Sequence, residues 1–325
     1  MKRIITYIII GISPILLLAC KKNHTASSNG NNLITAPAPL IDFGSASYRG
    51  FQGGLYSNSS NQRPSAHNTA GISIALAIQP LNAAGTVDVT NGKIAWTSIG
   101  MSNTTQETQA FLTLMQTYAN KNPKLILVDG AQGGQDINVI NNASASFWSV
   151  VNSRLSAAGL TPAQVQIVWF KEAEAQPADT SFATYPDALK IKYRSVMQIL
   201  KSKFPSLKLC YLSDRIYAGY ANTNLNPEPF AWYTGWTVKR LIADQISGDP
   251  SLNYTGTNPA SAWLSWGPYL WANGTNVRSD GLAWLASDYQ NDGTHPGTTG
   301  RQKVAQMLLQ FFSTDETAKI WFLKP

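Results

Sequence analysis

Cysteine and histidine are both scarce, with two and three copies in 325 residues. Cys20 is expected to carry lipid, as described below, so Cys210 stands alone and the mature chain can close no internal disulfide. Cys210 lies in the apolar stretch Leu207 to Leu212, where a buried, inert thiol is expected rather than a nucleophile. The three histidines are His24, His67 and His295, and the first sits in a polar N-terminal stretch. A metal centre built mainly of imidazole is therefore not expected. Charge is thin as well: 13% of residues are charged, and the formal +7 comes from scattered Lys and Arg. Without a clustered basic stripe or a recognition motif, nucleic acid is excluded as a partner, and the charge is read as solubility. No repeat of 20 to 50 residues is found.

What is present begins with an export signal. Lys2 and Arg3 precede an apolar run from Ile4 to Leu18, and Leu17-Leu18-Ala19-Cys20 sets a small residue before a cysteine, as a lipobox requires. Gly11, Ser13 and Pro14 interrupt that run, which is shorter than the ~20 residues needed to span a bilayer. Residues 1–19 are read as a lipoprotein signal peptide and Cys20 as the lipidated first residue of the mature chain. Residues 20–39, rich in Lys, Asn, Ser, Ala and Pro, are read as a tether. The expected location is the cell envelope, held by lipid, with the outer membrane favoured and the side faced left open.

From residue 93 short apolar runs alternate with helical patterns. Lys93 to Gly100, Lys124 to Val128, Gln164 to Phe170 and Leu207 to Leu212 look like buried parallel strands. Phe111, Leu114, Met115 and Tyr118 recur at helical spacing, as do Leu189, Tyr193, Val196, Leu200 and Phe204. Further helices are expected from about Phe230 to Ser247 and over a last stretch with Val304, Met307, Leu308 and Phe311 on one face. The alternation implies an α/β fold of three layers, helices on both faces of a parallel sheet, with sites at the carboxyl ends of strands. Residues 40–92, rich in Gly, Ser, Asn and Pro with one helix from about His67 to Gln79, read as an N-terminal extension packed on the main domain of residues 93–325.

Two stretches could carry chemistry. In Asn291-Asp292-Gly293-Thr294-His295-Pro296, Asp292 precedes His295 by three residues, Gly293 permits a tight turn, and Pro296 keeps His295 out of helical geometry. A carboxylate accepting from one ring nitrogen fixes the tautomer and frees the other to take a proton. Ser102 lies between the strand ending at Gly100 and a helix expected to open on the capping box Thr104-Thr105-Gln106-Glu107. There its hydroxyl would project from the sheet edge beside open helix amides that can receive an oxyanion.

A serine after the first strand, glycines after the second and Asp-x-x-His-Pro before the last helix resemble the SGNH/GDSL hydrolases, serine esterases of flavodoxin-like α/β/α fold. The resemblance runs from about residue 93 to 315. Ser-Ile-Gly-Met-Ser-Asn-Thr is similar to the family's Gly-Asp-Ser block, with Met101 where Asp is usual. It implies Ser102 as nucleophile, His295 as base, Asp292 as its orienter, and an oxyanion hole from the amides of Ser102 and of Gly133 or Gly134. Gly133-Gly134 also gives some likeness to the sialate O-acetylesterase branch. The third block departs: Trp169-Phe170-Lys171-Glu172-Ala173-Glu174 stands where the family places Gly-x-Asn. The third oxyanion donor would then come from Lys171 or Asn103, or be missing.

The implied activity is a serine esterase that needs no cofactor and no metal, removing acetyl groups from a carbohydrate. Trp263, Trp266, Tyr269, Trp271 and Trp284 crowd the stretch before the histidine loop; Trp266 and Trp271 are candidates for stacking on sugar, against core packing. Arg215 could hold a substrate carboxylate or pair with Asp214, and pairing is the expectation. His67 could reach the site's rim and bind substrate. A lipid or lysophospholipid ester hydrolase is the enzymatic alternative, and a non-catalytic carbohydrate-binding lipoprotein the other.

Overall fold

A computed structural model describes residues 33–34 and 36–325. The signal, Cys20, His24 and most of the tether lie outside the described residues. Before the main sheet come β1 (Leu33–Ile34), β2 (Ser47–Tyr48), β3 (Phe51–Gln52) and the helix α1 (Ser65–Leu76). The rest alternates as read from the sequence: β4 (Ile94–Gly100), α2 (Ser102–Met115), β5 (Leu125–Asp129), α3 (Ile137–Ile140), α4 (Ser146–Ala157), β6 (Val165–Lys171), α5 (Tyr185–Lys203), β7 (Leu209–Leu212), α6 (Phe230–Ile246), β8 (Trp263–Trp266), α7 (Thr298–Thr314) and α8 (Lys319–Phe322).

Strands β4 to β8 form one parallel sheet in the order β5-β4-β6-β7-β8. Counted from its first strand this is the 2-1-3-4-5 winding of flavodoxin-like folds. β4 and β6 are buried at every position because helices cover both faces. Period-two alternation divides the core. Trp96, Ile167, Trp169, Leu209, Tyr211 and Trp263 pack with Phe111, Val304, Leu308 and Phe312 of α2 and α7. Ala95, Ile99, Val168, Phe170, Cys210 and Leu212 pack on the opposite face with Phe147, Leu189, Tyr193 and Trp232 of α4, α5 and α6. Cys210 is buried, and its burial pushes the thiol far above its ordinary range.

The fifth strand, β8, is absent from the sequence reading, which weighed the tryptophans of this stretch for sugar stacking against packing. A four-residue run ending at Gly267-Pro268 is too short to show period, and only pairing with β7, from Leu209↔Trp263 to Leu212↔Trp266, defines it. On α7 the buried face is Gly300, Val304, Leu308 and Phe312; Met307 and Phe311 sit at its margin. The extension is packed on the main body, Phe43, Tyr48 and Tyr56 joining the core of α5 and α6. Its order starts earlier than expected. Residues 37–39, read as the end of the tether, are held because Trp232 Nε1 donates to the Ala38 carbonyl at 2.8 Å and Asn273 Nδ2 to that of Pro37 at 3.3 Å. No helix among the described residues is long and apolar enough to cross a membrane.

Candidate active site

Three loops at the carboxyl edge of the sheet meet around Ser102. The first follows β4. Gly100 must be glycine, since a Cβ there would lie 2.0 Å from the Lys171 carbonyl oxygen of the adjacent strand. Met101 is extended and makes no side-chain cap, and α2 starts at Ser102 itself. The expected capping box at Thr104 is therefore not formed. Thr104 Oγ1 donates instead to the Lys171 carbonyl at 2.6 Å, and the fully buried Glu107 takes the Lys171 ammonium at 2.6 Å on both oxygens. A buried carboxylate with a cation in reach outweighs a surface cap. The shift places Ser102 on the first turn, where helix amides have no partner within the helix.

The second loop carries the histidine. Ser102 Oγ lies 2.8 Å from His295 Nε2, and His295 Nδ1 lies 2.5 Å from Asp292 Oδ2. With Nδ1 donating to the carboxylate, Nε2 is left to accept from the serine hydroxyl. Asp292 Oδ1 also accepts the amides of Thr294 and His295, each at 3.0 Å. Partial burial alone would raise the Asp292 carboxyl, but the bonds from the His295 ring and these two amides outweigh it and hold the group below its ordinary value. Gly293 is left-handed (φ 62°) and so close to the Tyr220 carbonyl that no Cβ fits.

The third loop follows β5. A Cβ on Gly133 would lie 3.8 Å from Ser102 Cβ, so Gly133 stands beside Ser102, whereas Gly134 (φ 73°) faces open space. The amides of both glycines donate to nothing among the described residues. Gln132 N donates to the Gly100 carbonyl at 2.9 Å, tying this loop to the first. Arg154 Nη1 braces it from below, donating to the carbonyls of Asp129 at 2.9 Å and Ala131 at 2.7 Å. The Asp129 carboxylate accepts from Ser98, Thr105 and the Ala131 amide.

Other candidates sit elsewhere than expected. The Asn103 side-chain amide donates to the Thr294 carbonyl at 3.0 Å and the Lys171 ammonium to Glu107, so both candidates for a third oxyanion donor are buried against protein partners. Asp214 and Arg215 do not pair; the Asp214 carboxylate accepts the Leu270 and Trp271 amides at 2.6 and 3.2 Å, which a buried carboxylate needs. His67 is a core residue. Its Nε2 donates to the Leu264 carbonyl at 2.8 Å and its ring stacks on Trp263 at 4.7 Å, with burial lowering its pKa. Trp266 and Trp271 are buried, their indole N–H groups donating to the Leu55 carbonyl and to Glu228. No sugar can stack on them there.

The residues absent from the sequence reading are those that join the loops. Thr223 Oγ1 meets Thr294 Oγ1 at 3.1 Å, and Asn222 N donates to the Asp292 carbonyl at 3.1 Å. Gln176 N reaches the Leu225 carbonyl and Asn226 Nδ2 that of Glu174. These contacts span tens of residues or more, and no local pattern announces them.

No protein-family model matches the chain, and no curated protein matches it. Among solved structures it is similar to a GDSL-like lipase of Bacteroides thetaiotaomicron (12% identity over 75% of this chain and 96% of that one, TM-score 0.39). It is also similar to a candidate acylhydrolase of Bacteroides fragilis (14%, 77% and 96%, TM-score 0.39) and a candidate GDSL-like lipase of Parabacteroides merdae (13%, 70% and 96%, TM-score 0.41). At such identities and TM-scores a likeness assigns neither family nor activity. The functional reading rests on the geometry of the site.

Proposed function

We propose that this chain is a serine hydrolase of carboxylic esters. The observation that carries the reading is the continuous line from Ser102 Oγ through His295 to Asp292, with both links at hydrogen-bond distance. Ser102 attacks the ester carbonyl while His295 Nε2 takes its proton, and Asp292 holds the ring and balances its charge. The alcohol leaves with that proton, and water repeats the sequence to free the acid. The oxyanion is received by the amides of Ser102 and Gly133. With Asn103 and Lys171 both committed, turnover should be modest, since one oxyanion donor is worth ~100-fold to 1000-fold. Hydrolysis of 4-nitrophenyl acetate by the protein and by Ser102→Ala tests the reading. Equal rates for the two would sink it.

The favoured substrate is an acetylated carbohydrate. With the tryptophans in the core, its support is the neutral rim: Asn222, Asn224 and Gln176 are exposed and Thr223 is half-buried on loops that touch the histidine loop or its neighbours. Amides and hydroxyls both donate and accept, as sugar hydroxyls do. A lipid ester is the second reading. An apolar cavity of about 750 Å³ lies between α2 and α7, lined by Ala110, Leu114, Leu282, Leu285 and Met307. It begins eight residues along the helix from Ser102, roughly 12 Å at 1.5 Å per residue. Rates that rise from acetyl to dodecanoyl esters favour lipid; rates that fall favour acetate. Cys20 would carry the lipid anchor, so Cys20→Ser should release the protein from membranes. Persistent membrane association would show a different anchor.

A further inference from the structure

Three cationic side chains are buried among the described residues: Lys171, Arg215 and Arg278. Two are matched. Lys171 holds Glu107, and Arg278 holds Asp280 and the carbonyls of Tyr269 and Trp271. Arg215 is not. Its Nε and Nη2 are sealed from solvent without a partner, and its guanidinium makes no ion pair among the described residues. Only its backbone amide is engaged, donating to Thr234 Oγ1 at 2.9 Å. A buried charge without a partner is strongly disfavoured, so its persistence in a finished core requires a reason.

Carboxyls surround Arg215, but none of them is bonded to its guanidinium. The groups facing Arg215 include Glu107, Glu172, Glu228, Tyr289 and Tyr193, and Glu228 is already bonded to the amides of Ala218 and Trp232 and to the Trp271 indole. Glu107 is spent on Lys171, and Asp214 on two amides. Glu172 Oε1 accepts the amide of Ala173 while its Oε2 has no partner, and burial pushes this carboxyl well above the usual range, toward its neutral form. The Arg215 guanidinium is therefore left without a bonded carboxylate among the described residues, at the carboxyl edge of the sheet.

Its place is set by the elements around it. Glu107 is on the second turn of the helix that starts at Ser102. Glu172 follows Lys171, which pairs in register with Gly100 just before the nucleophile. Tyr289 bridges to Pro296 across the histidine loop. Arg215 thus shares two elements with the Ser102–His295 pair: the helix that begins at Ser102, through Glu107, and the loop that carries His295, beside Tyr289.

Taking the hydrolase reading as its premise, we propose that the Arg215 guanidinium holds a carboxylate on the ester substrate, making this an esterase for acidic esters. A carboxylate in the acyl half or in the alcohol half meets the same fork of donors. Two matched pairs separate these sources. For the acyl half, 4-nitrophenyl hydrogen succinate is compared with 4-nitrophenyl butyrate; for the alcohol half, O-acetylated glucuronic acid with O-acetylated glucose.

The wild-type protein should show kcat/KM at least about 10-fold higher for the acidic member of one pair, the size of a charged hydrogen bond. Arg215→Met should bring that ratio down toward one, and Arg215→Lys, which keeps charge but loses the fork, should fall between. No acid preference in either pair, or a ratio untouched by Arg215→Met, overturns the proposal. If Arg215→Met does not fold, the wild-type ratios and Arg215→Lys decide. Labelling of Ser102 by a fluorophosphonate keeps the two readings apart: labelling without acid preference sinks only the role of Arg215, and no labelling with no hydrolysis sinks both.

Discussion

The side-chain amide of Asn103 donates to the carbonyl of Thr294 at 3.0 Å, which joins the residue after Ser102 to the residue before His295. Asn103 is buried, and Thr294 is fixed from its other side by Thr223. The bond thus sets how the start of α2 faces the histidine loop, and with it the 2.8 Å separation of Ser102 Oγ and His295 Nε2. Asn103→Ala should lower kcat on 4-nitrophenyl acetate by about 100-fold, the cost of a misplacement near 1 Å, with KM little changed. Asn103→Asp keeps the shape but has no N–H to donate, so it should lose as much. A drop confined to KM, or full activity in Asn103→Asp, would show that the contact does not position the pair.

The two described histidines should separate cleanly. His295→Ala removes the base and should cost on the order of 10⁴-fold in turnover. His67→Ala leaves the Leu264 carbonyl without its donor and opens space against Trp263. It should therefore destabilise by about 1–3 kcal/mol, seen as a lower melting temperature, with KM unmoved. Full activity in His295→Ala would remove the foundation of the proposed mechanism.

The sheet and the approach of Ser102, His295 and Asp292 were legible for different reasons. β4, β5, β6 and β7 are apolar runs bounded by polar turns, and burial on both faces makes such runs continuous. Asp292, His295 and the site of Ser102 carry local signals: a three-residue spacing, a turn glycine, a strand followed by a helix. The partners of polar side chains were not legible. Thr104-x-x-Glu107 has the form of a capping box, yet Glu107 points into the core because Lys171, on another strand, is there to meet it. Asp214 beside Arg215 suggests a pair, yet neighbours along an extended chain point apart, and the carboxylate found amides more than fifty residues away. Trp266 and Trp271, weighed as a sugar platform against packing, are both buried, and Trp266 lies in a strand too short to show its period.

Asp214 should give stability a recognisable pH dependence. Burial raises its carboxyl to about 7, against the lowering effect of the Leu270 and Trp271 amides. The folded protein then holds this proton more tightly than the unfolded chain, whose aspartates titrate near ~4. The contribution is most favourable below that value, falls as pH rises to about 7, and is flat above. Asp292 runs the other way: its depressed carboxyl adds stability above the unfolded value that is lost as pH falls through the folded one, a small term at a half-exposed site. Urea unfolding from pH 4 to 8 should show a shallower decline in Asp214→Asn than in the parent. Identical slopes would mean that the carboxyl is not protonated in the fold.

Glu107 and Lys171 offer a test of whether the buried pair stabilises the fold or only the site. Each is enclosed, burial pulling the Lys171 ammonium down and the Glu107 carboxyl up, with mutual attraction opposing both shifts. Removing one partner strands the other, so Lys171→Met or Glu107→Gln alone should cost about 3–5 kcal/mol. Replacing both, as Glu107→Leu with Lys171→Met, removes the desolvation cost with the attraction and should restore most of that stability. The apolar pair cannot set the α2 axis against β6 by hydrogen bonds as the ion pair does; only the Thr104 bond to the Lys171 carbonyl would remain. We therefore expect the double variant to melt near the parent while turning over 4-nitrophenyl acetate about 10-fold more slowly, a fraction of the ~100-fold cost of a full misplacement. A double variant as active as the parent would confine the pair to a structural role, and one as unstable as either single change would show that the apolar replacement does not fit the site.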